Sequence, residues 1–558
     1  MSKSAKAWII SLSVVTAIVA VIVILALRAD RIVENIANQK LQELVVKKNL
    51  PLTYSDIKVN VLQGNIKIDD VQFYLSEKDS LTGDSILLDL SVQRLSLGHI
   101  NWKKILKEQL LKIDAIRIES PAFRAYNVDK ALRVLTKPNN DLAEQDSVRT
   151  ADSNKKQVEI PLKKVIVEEV SLEDGQLSMA RSKDKFFTSV EDVFCSLLDI
   201  EYNFSDSLLT YSDSLYLISA KNFALTTADG LFKMKLKELR TENSGAVVIN
   251  QLSGGNAVAK QKLADAKGKV PVTWAWFDIS HLETSPLSVI KITKEKKIEI
   301  DSVRLNMKSV NLFRDNHYQP KVPYPMPQEG LLKLKLPLLV KNIDMSLEKM
   351  MVELTLTGQS VGGLQMSGIT AKINNVTNKA GETIKAKLKS AIEDSGKADI
   401  DFTMTLNKKC EFSMKANVKN AQGEAFSDFL KPLFGVEMQC NISNIDMAYK
   451  ADRHKAVGTY CMIYDNLKIN VLKQETSIPQ LAKYSGIINA FAPAILLVKN
   501  PRKSGGQPQA YNIEWERNDM KSFSVYMLGP MIDGMLESVL PPSIVKMIKK
   551  KRAEKKSN

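Results

Sequence analysis

The chain has 558 residues and a mass of 62.3 kDa, too much for one compact domain and enough for several or for one elongated repetitive structure. Its 44% hydrophobic and 25% charged residues are ordinary for a folded protein and exclude global disorder, collagen and a polytopic membrane protein. The net charge of +15 gathers at the two ends and aromatics are only 6%, so the basic, aromatic-rich footprint of a nucleic-acid-binding domain is missing.

In chain order, the first element is WIISLSVVTAIVAVIVILAL at 8–27, 20 residues without a charge. As a helix it spans about 30 Å, the thickness of a bilayer's hydrocarbon core. A cleaved signal peptide has a shorter apolar run and a small-residue cleavage site, and ALRAD at the end of this run offers no A-x-A pattern. An uncleaved anchor is expected. Lys3 and Lys6 precede it, Trp8 suits the inner interface, and Arg28 and Arg31 follow. The tail 1–7 is expected in the cytoplasm. No second apolar run of 18 residues follows, which places the rest of the chain outside the cytoplasm.

Residues 31–48 carry Ile32, Ile36, Leu41, Leu44 and Val45 at helical spacing and predict a short amphipathic helix. Beyond Pro51 the period changes to two. FKMKLKEL (232–239) sets Phe232, Met234 and Leu236 against Lys233, Lys235 and Lys237. LLKLKL (331–336) and DFTMTL (401–406) alternate likewise, with Leu332, Leu334 and Leu336, then Phe402, Met404 and Leu406, on the apolar side. Such alternation predicts strands with one apolar and one wet face, hence an antiparallel sheet.

A degenerate repeat, apolar-x-apolar-x-x-apolar-x-apolar, runs through these strands. Copies are IKIDDVQF (66–73), LKIDAIRI (111–118), VIVEEVSL (165–172), IEIDSVRL (298–305), LLVKNIDM (338–345) and CNISNIDM (440–447), with a looser MIYDNLKI (462–469). Four apolar residues at those offsets cannot share one face of a regular strand. The central polar pair must absorb an extra residue in a bulge or kink. Ile113 and Ile116 are then expected on one face, as are Val167 and Val170. The uneven spacing of the copies disfavours a strict solenoid or propeller.

Breaks are expected at 137–158, a polar mobile loop, and at 253–270, 317–329 and 499–509. Cys195, Cys410, Cys440 and Cys461 form no CxxC and give no zinc pattern. Either all four are free, buried thiols or Cys440 pairs with Cys461. Near the end, Met531, Ile532, Met535, Leu536, Val539 and Leu540 form an apolar helix face, followed by the basic tail Lys546, Lys549, Lys550, Lys551 and Arg552. Two readings stand: a helix and tail at an anionic membrane surface, or a helix capping the sheet above a solvated tail.

The order of anchor, helix, GNIKIDDVQFYL (64–75) and LSVQRLSLGHINWKKILKEQLLKIDAIRIESPAFRAYN (90–127) resembles the AsmA-like proteins of Gram-negative envelopes, relatives of TamB and YhdP. The short helix at Trp102–Gln109 and the strand IRIESP (116–121) carry the likeness. At the other end, ILLVKNPRK (495–503), YNIEWERND (511–519) and GPMIDGMLESVLP (529–541) are similar to the ends of Bacteroidetes members. The resemblance implies a curved antiparallel groove lined with apolar side chains, and a role in moving phospholipid between membranes or in outer-membrane assembly.

No catalytic pattern is legible. His99, His281, His317 and His454 are isolated, and no GxSxG, Walker A or HExxH is present. Asp69–Asp70 and Glu168–Glu169 are consecutive strand residues pointing to opposite faces. No enzyme activity and no cofactor are expected.

The reading is a mainly β protein. It has an elongated, twisted antiparallel β-sheet groove, an N-terminal transmembrane helix and a few short capping helices. The expected divisions are tail 1–7, anchor 8–27, N-terminal β region 28–136, loop 137–158, groove 159–498, and a strand, amphipathic helix and basic tail at 499–558. The expected function is lipid handling in the periplasm, from the inner membrane via Trp8–Leu27, with phospholipid as ligand. The C-terminus would meet the outer membrane or an envelope protein. The groove wall would be Phe232, Met234, Leu236, Leu332, Leu334, Leu336, Phe402, Met404 and Leu406. The rivals are a closed sandwich that binds an envelope protein, and a membrane-anchored enzyme with a dispersed site.

Overall fold

The computed structural model describes residues 52–60, 63–78, 85–126, 162–182, 185–204, 208–210, 216–227, 229–267, 272–288, 291–292, 295–315, 322–355, 361–392, 396–434, 436–471, 498–503, 505–540 and 545–546. The expected anchor 8–27, helix 31–48 and loop 137–158 lie outside them, as do Lys549, Lys550, Lys551 and Arg552. Among the described residues no helix is long and apolar enough to cross a membrane. The fold is mainly β, in two compact units. The first takes the described residues up to Gly230 and Met234–Gly245; the second takes Leu231–Lys233 and those from Ala246. This division falls at none of the polar breaks singled out in the sequence.

The first unit contains β1 (Leu52–Thr53), β2 (Asp56–Asn60), β3 (Asn65–Lys78), β4 (Ser85–Gly98), α1 (Trp102–Glu108), β5 (Leu110–Glu119), β6 (Ala122–Tyr126), β7 (Lys164–Ser182), β8 (Lys185–Asn203), β9 (Leu208–Thr210), β10 (Tyr216–Thr226) and most of β11 (Phe232–Thr241). The expected short helix is present as α1. The Asn101 side chain caps it by accepting from the Lys104 N–H at 3.2 Å, and Gln109 ends it in the left-handed region. β1 and β2 run antiparallel to β3, β3 to β4, and β4 to β5 and β6. β5 and β6 then pair with β7 in parallel, which corrects the all-antiparallel expectation.

The repeat explains that junction. Its copies on β5 and β7 stand in register: Leu111 opposite Val165, Ile113 opposite Val167, Ile116 opposite Val170 and Ile118 opposite Leu172. The pairing is interrupted in both strands at once, at Asp114 and Glu168. Because both strands absorb the irregularity at the same level, the apolar positions stay aligned. Ile113 and Ile116 are buried in one core, and Val167 and Val170 pack into that same core, as the parity shift requires. On β3 the shift is carried by Asp70, whose φ is +54°.

The second unit contains β12 (Val247–Asn256), a 3-10 turn (Lys260–Lys262), α2 (Leu263–Ala266), β13 (Thr273–Thr284), β14 (Ile298–Asp315), α3 (Pro327–Leu332), β15 (Leu338–Thr355), β16 (Val361–Thr377), β17 (Thr383–Ile392), β18 (Gly396–Thr405), β19 (Phe412–Gln422), α4 (Glu424–Phe434), β20 (Val436–Ala451), β21 (Lys455–Val471), β22 (Ala510–Glu516) and α5 (Phe523–Val539). From β12 to β22 each strand pairs with the next, antiparallel except for β14 with β15. That parallel step again aligns two repeat copies: Ile298 with Leu338, Ile300 with Val340, Val303 with Ile343 and Leu305 with Met345. At the shared irregularity Lys341 Nζ meets Asp301 at 2.6 Å.

The sheet of this unit curls. Within α5, Gly534 lies against Tyr460 of β21, while Ile532 packs on Leu364 of β16. Five strand spacings separate β16 from β21, about 24 Å along a flat sheet. A helix about 10 Å across touches both within one turn only if the strands wrap around it.

Candidate functional site

An extended feature of the second unit is a row of directly opposed apolar side chains across its strands. Val303, Ile343, Ile373, Ala386, Phe402, Met414 and Tyr449 stand in one line from β14 to β20. Its six spacings cover about 29 Å. Beside it runs a second line of Leu282, Leu305, Met345, Ala371, Leu388, Ile400, Ala416, Met447 and Tyr460. The opposite face is charged. Glu283, Arg304, Asp344, Lys372, Lys387, Asp401 and Lys415 are opposed in sequence, with ion pairs Arg304–Glu283 at 3.2 Å and Lys387–Asp401 at 3.8 Å. Strand alternation supplies both faces, because consecutive side chains point to opposite sides.

Of the wall residues expected from sequence, the structure gathers four. Met404 and Leu406 are buried in the core of the second unit, and Leu332 and Phe402 pack against it. Leu334 and Leu336 do not belong to a strand. Residues 327–332 are helical, and the next turn leaves the two leucines 48% and 38% exposed. The backbone there is satisfied by one side chain: Asn378 Nδ2 donates to the carbonyls of Leu334 at 3.1 Å and Leu336 at 2.9 Å. On β11, Leu236 is buried and Phe232 and Met234 are half-buried. Phe232 groups with the second unit and the other two with the first.

Around Met404 and Leu406 the trough is filled by the chain itself. α4 packs on β20, β16 and β15, and α5 packs on β21 and β22. The expected apolar helix face is the one buried: Ile532, Met535, Val539 and Leu540 enter the core, with Met531 and Leu536 packed against it. Close approach is possible because Gly529 and Gly534 carry no Cβ; one there would lie 2.2 Å from the Trp515 ring and 2.3 Å from that of Tyr460. Tyrosines then tie sheet and helix together. Tyr449 donates to the Met527 carbonyl at 2.8 Å, Tyr464 to that of Ser538 at 2.7 Å, and Tyr526 to that of Asp452 at 3.0 Å. Burial raises the pKa of all three hydroxyls, and of Tyr460, so these groups stay protonated and donate. Of the basic tail, Lys546 is exposed.

Two cavities bordered by described residues of this unit stand out. One of about 490 Å³ lies on the charged face, among Lys387, Lys389, Asp399, Asp401, Lys415 and Asp446. The other, about 390 Å³, is bounded by Tyr324, Glu329, Arg453, His454, Arg517 and Asp519. Sequence reading missed the second, because its members come from three distant segments and carry no spacing signal. All four cysteines are free. Cys440 is buried in the core, with its thiol pushed up to about 12 by burial, whereas Cys461 lines the charged-face cavity. Among the described residues no three His, Cys, Asp or Glu side chains gather as a metal site.

No family model, curated protein or solved structure matches this chain.

Proposed function

We propose that this chain is a membrane-anchored lipid-handling protein of the AsmA-like type. Trp8–Leu27 would hold it in the inner membrane, with the bulk of the chain in the periplasm and no enzymatic step. The observation that carries the reading is the pair of apolar rows, whose members from β13 to β18 are half-buried except for Ala371. Acyl chains laid along such a wall leave water at about 0.8 kcal/mol per methylene, without any directional contact to stop them sliding. The charged outer face keeps the sheet soluble.

Native mass spectrometry of the detergent-extracted full chain is expected to show copurified phospholipid. Met345→Asp puts an unpaired charge on the wall and is expected to remove it. Lys372→Asp, on the charged face, is expected to leave it. A folded Met345→Asp protein that keeps its lipid would sink the conduit reading.

A second reading is favoured by the filling of the trough by α4 and α5. A sheet closed over its own helices suits an envelope assembly or scaffold protein, which would extract without lipid and with a protein partner.

A further inference from the structure

We propose that the cavity between α3, the β20–β21 turn and the segment after β22 binds one small oxyanion, a phosphate or carboxylate, and that it seats the head of an anionic amphiphile. The second half of that statement rests on the lipid reading; the first does not.

Arg517 is fixed by its own backbone N–H, which donates to the His454 carbonyl at 2.7 Å. Among the described residues its guanidinium reaches carbonyls alone, with Nη2 donating to Tyr324 at 2.5 Å and Nη1 to Arg453 at 3.5 Å. Nε is buried and has no hydrogen-bond partner. Among the described residues no carboxylate pairs with Arg517. Carbonyl oxygens orient a guanidinium without neutralising it, so a full positive charge faces a cavity of about 390 Å³ with donor capacity unused. Arg453 differs, because Glu329 already holds it. Buried Arg314 stacks on the Tyr324 ring at 4.9 Å and donates to its hydroxyl at 2.7 Å, which fixes that wall of the site.

A planar fork with free donors takes carboxylate or phosphate oxygens best. Glu329 and Asp519 line the same cavity and would repel a polyanion, which limits the ligand to one small anionic group. The surroundings suggest what the group is attached to. Arg453 Nη2 lies 3.8 Å from Cys410 Sγ, and Cys410 and Met326 belong to the apolar core. The Asp452 carbonyl in the same turn accepts from Tyr526 of α5. A head bound at Arg517 thus sits where the apolar filling begins.

The test uses the full chain in a neutral detergent and isothermal titration with dihexanoyl phosphatidic acid, dihexanoyl phosphatidylcholine and inorganic phosphate. The expected result is affinity for the anionic lipid about tenfold above that for the zwitterionic one, the effect of one charge-assisted contact. Arg517→Met is expected to abolish that preference and Arg517→Lys to retain part of it. Equal affinities for the two lipids, with no phosphate binding, would overturn the oxyanion site while leaving lipid handling intact. Phosphate binding that needs Arg517, without binding of either lipid, would keep the site, assign it to a free anion and overturn the lipid reading. If Arg517→Met does not fold, competition of inorganic phosphate against phosphatidic acid on the unmodified chain decides: competition is expected, and its absence overturns the proposal.

Discussion

The two ends of one apolar row in the second unit have different fates. Val303, Ile343 and Ile373 on β14–β16 are half-buried, while Met414 and Tyr449 on β19–β20 are buried. The side chains are similar and the register is continuous. What differs is the cover, since the aromatic rings of Phe523 and Tyr526 in α5 pack on Phe412 of β19 at 5.1 and 5.5 Å. A strand's apolar face is written locally, but its burial is decided by a segment far along the chain.

The strongest way to break the contrast is to unseat the helix. Gly534→Leu forces a side chain into the Tyr460 ring and is expected to cost about 3 kcal/mol, read as a fall in the urea midpoint with early proteolytic release of α5. Truncation of matched methionines should grade the two ends. Met414→Ala is expected to cost about 3 kcal/mol and half-buried Met345→Ala about 1 kcal/mol; equal costs would mean that the open end is covered in solution.

A smaller effect concerns α3, at the rim of the filled end. The Met326 N–H, donating at 2.7 Å, and then Arg453 hold the Glu329 carboxyl below the usual carboxylate range. A depressed carboxylate stabilises the fold above its unfolded pKa, and that contribution is lost as pH falls through the folded value. Glu329→Gln is therefore expected to cost about 1 kcal/mol at pH 7, with the gap to the native chain closing below about pH 4.5 in thermal melts. The smallest expected effect is on the charged face. Lys387→Ala removes a solvent-exposed pair with Asp401 and is expected to leave the urea midpoint unchanged.

Much of this architecture is legible in the sequence. The polar pairs announce the strand irregularities, because four apolar residues at those offsets admit one shared face only with an extra residue. α1 is legible from its place before LKIDAIRI. The misreading at 331–336 has a specific cause. Six alternating residues satisfy a strand pattern, but Pro327 opens a helix whose first turn is held by Glu329, and Asn378 takes the carbonyls a strand partner would have used. The parallel junctions and the cavity at Arg517 are absent from local pattern, because each joins segments whose meeting is decided only by the folded chain. The apolar face of α5 is legible, whereas its seat depends on two glycines meeting rings far away in sequence.

The aligned irregularities at the two parallel junctions bear on how each unit assembles. Hairpins on either side of a junction join near neighbours in sequence, while the junction closes a long connection, the class of contact expected to form slowly. A slip of one residue at either junction would move Asp114 out of level with Glu168, or Asp301 away from Lys341, and throw every apolar side chain onto the wrong face. The paired kinks thus act as a key and its ward, fitting the strands on the two sides of each junction in one alignment and refusing the others.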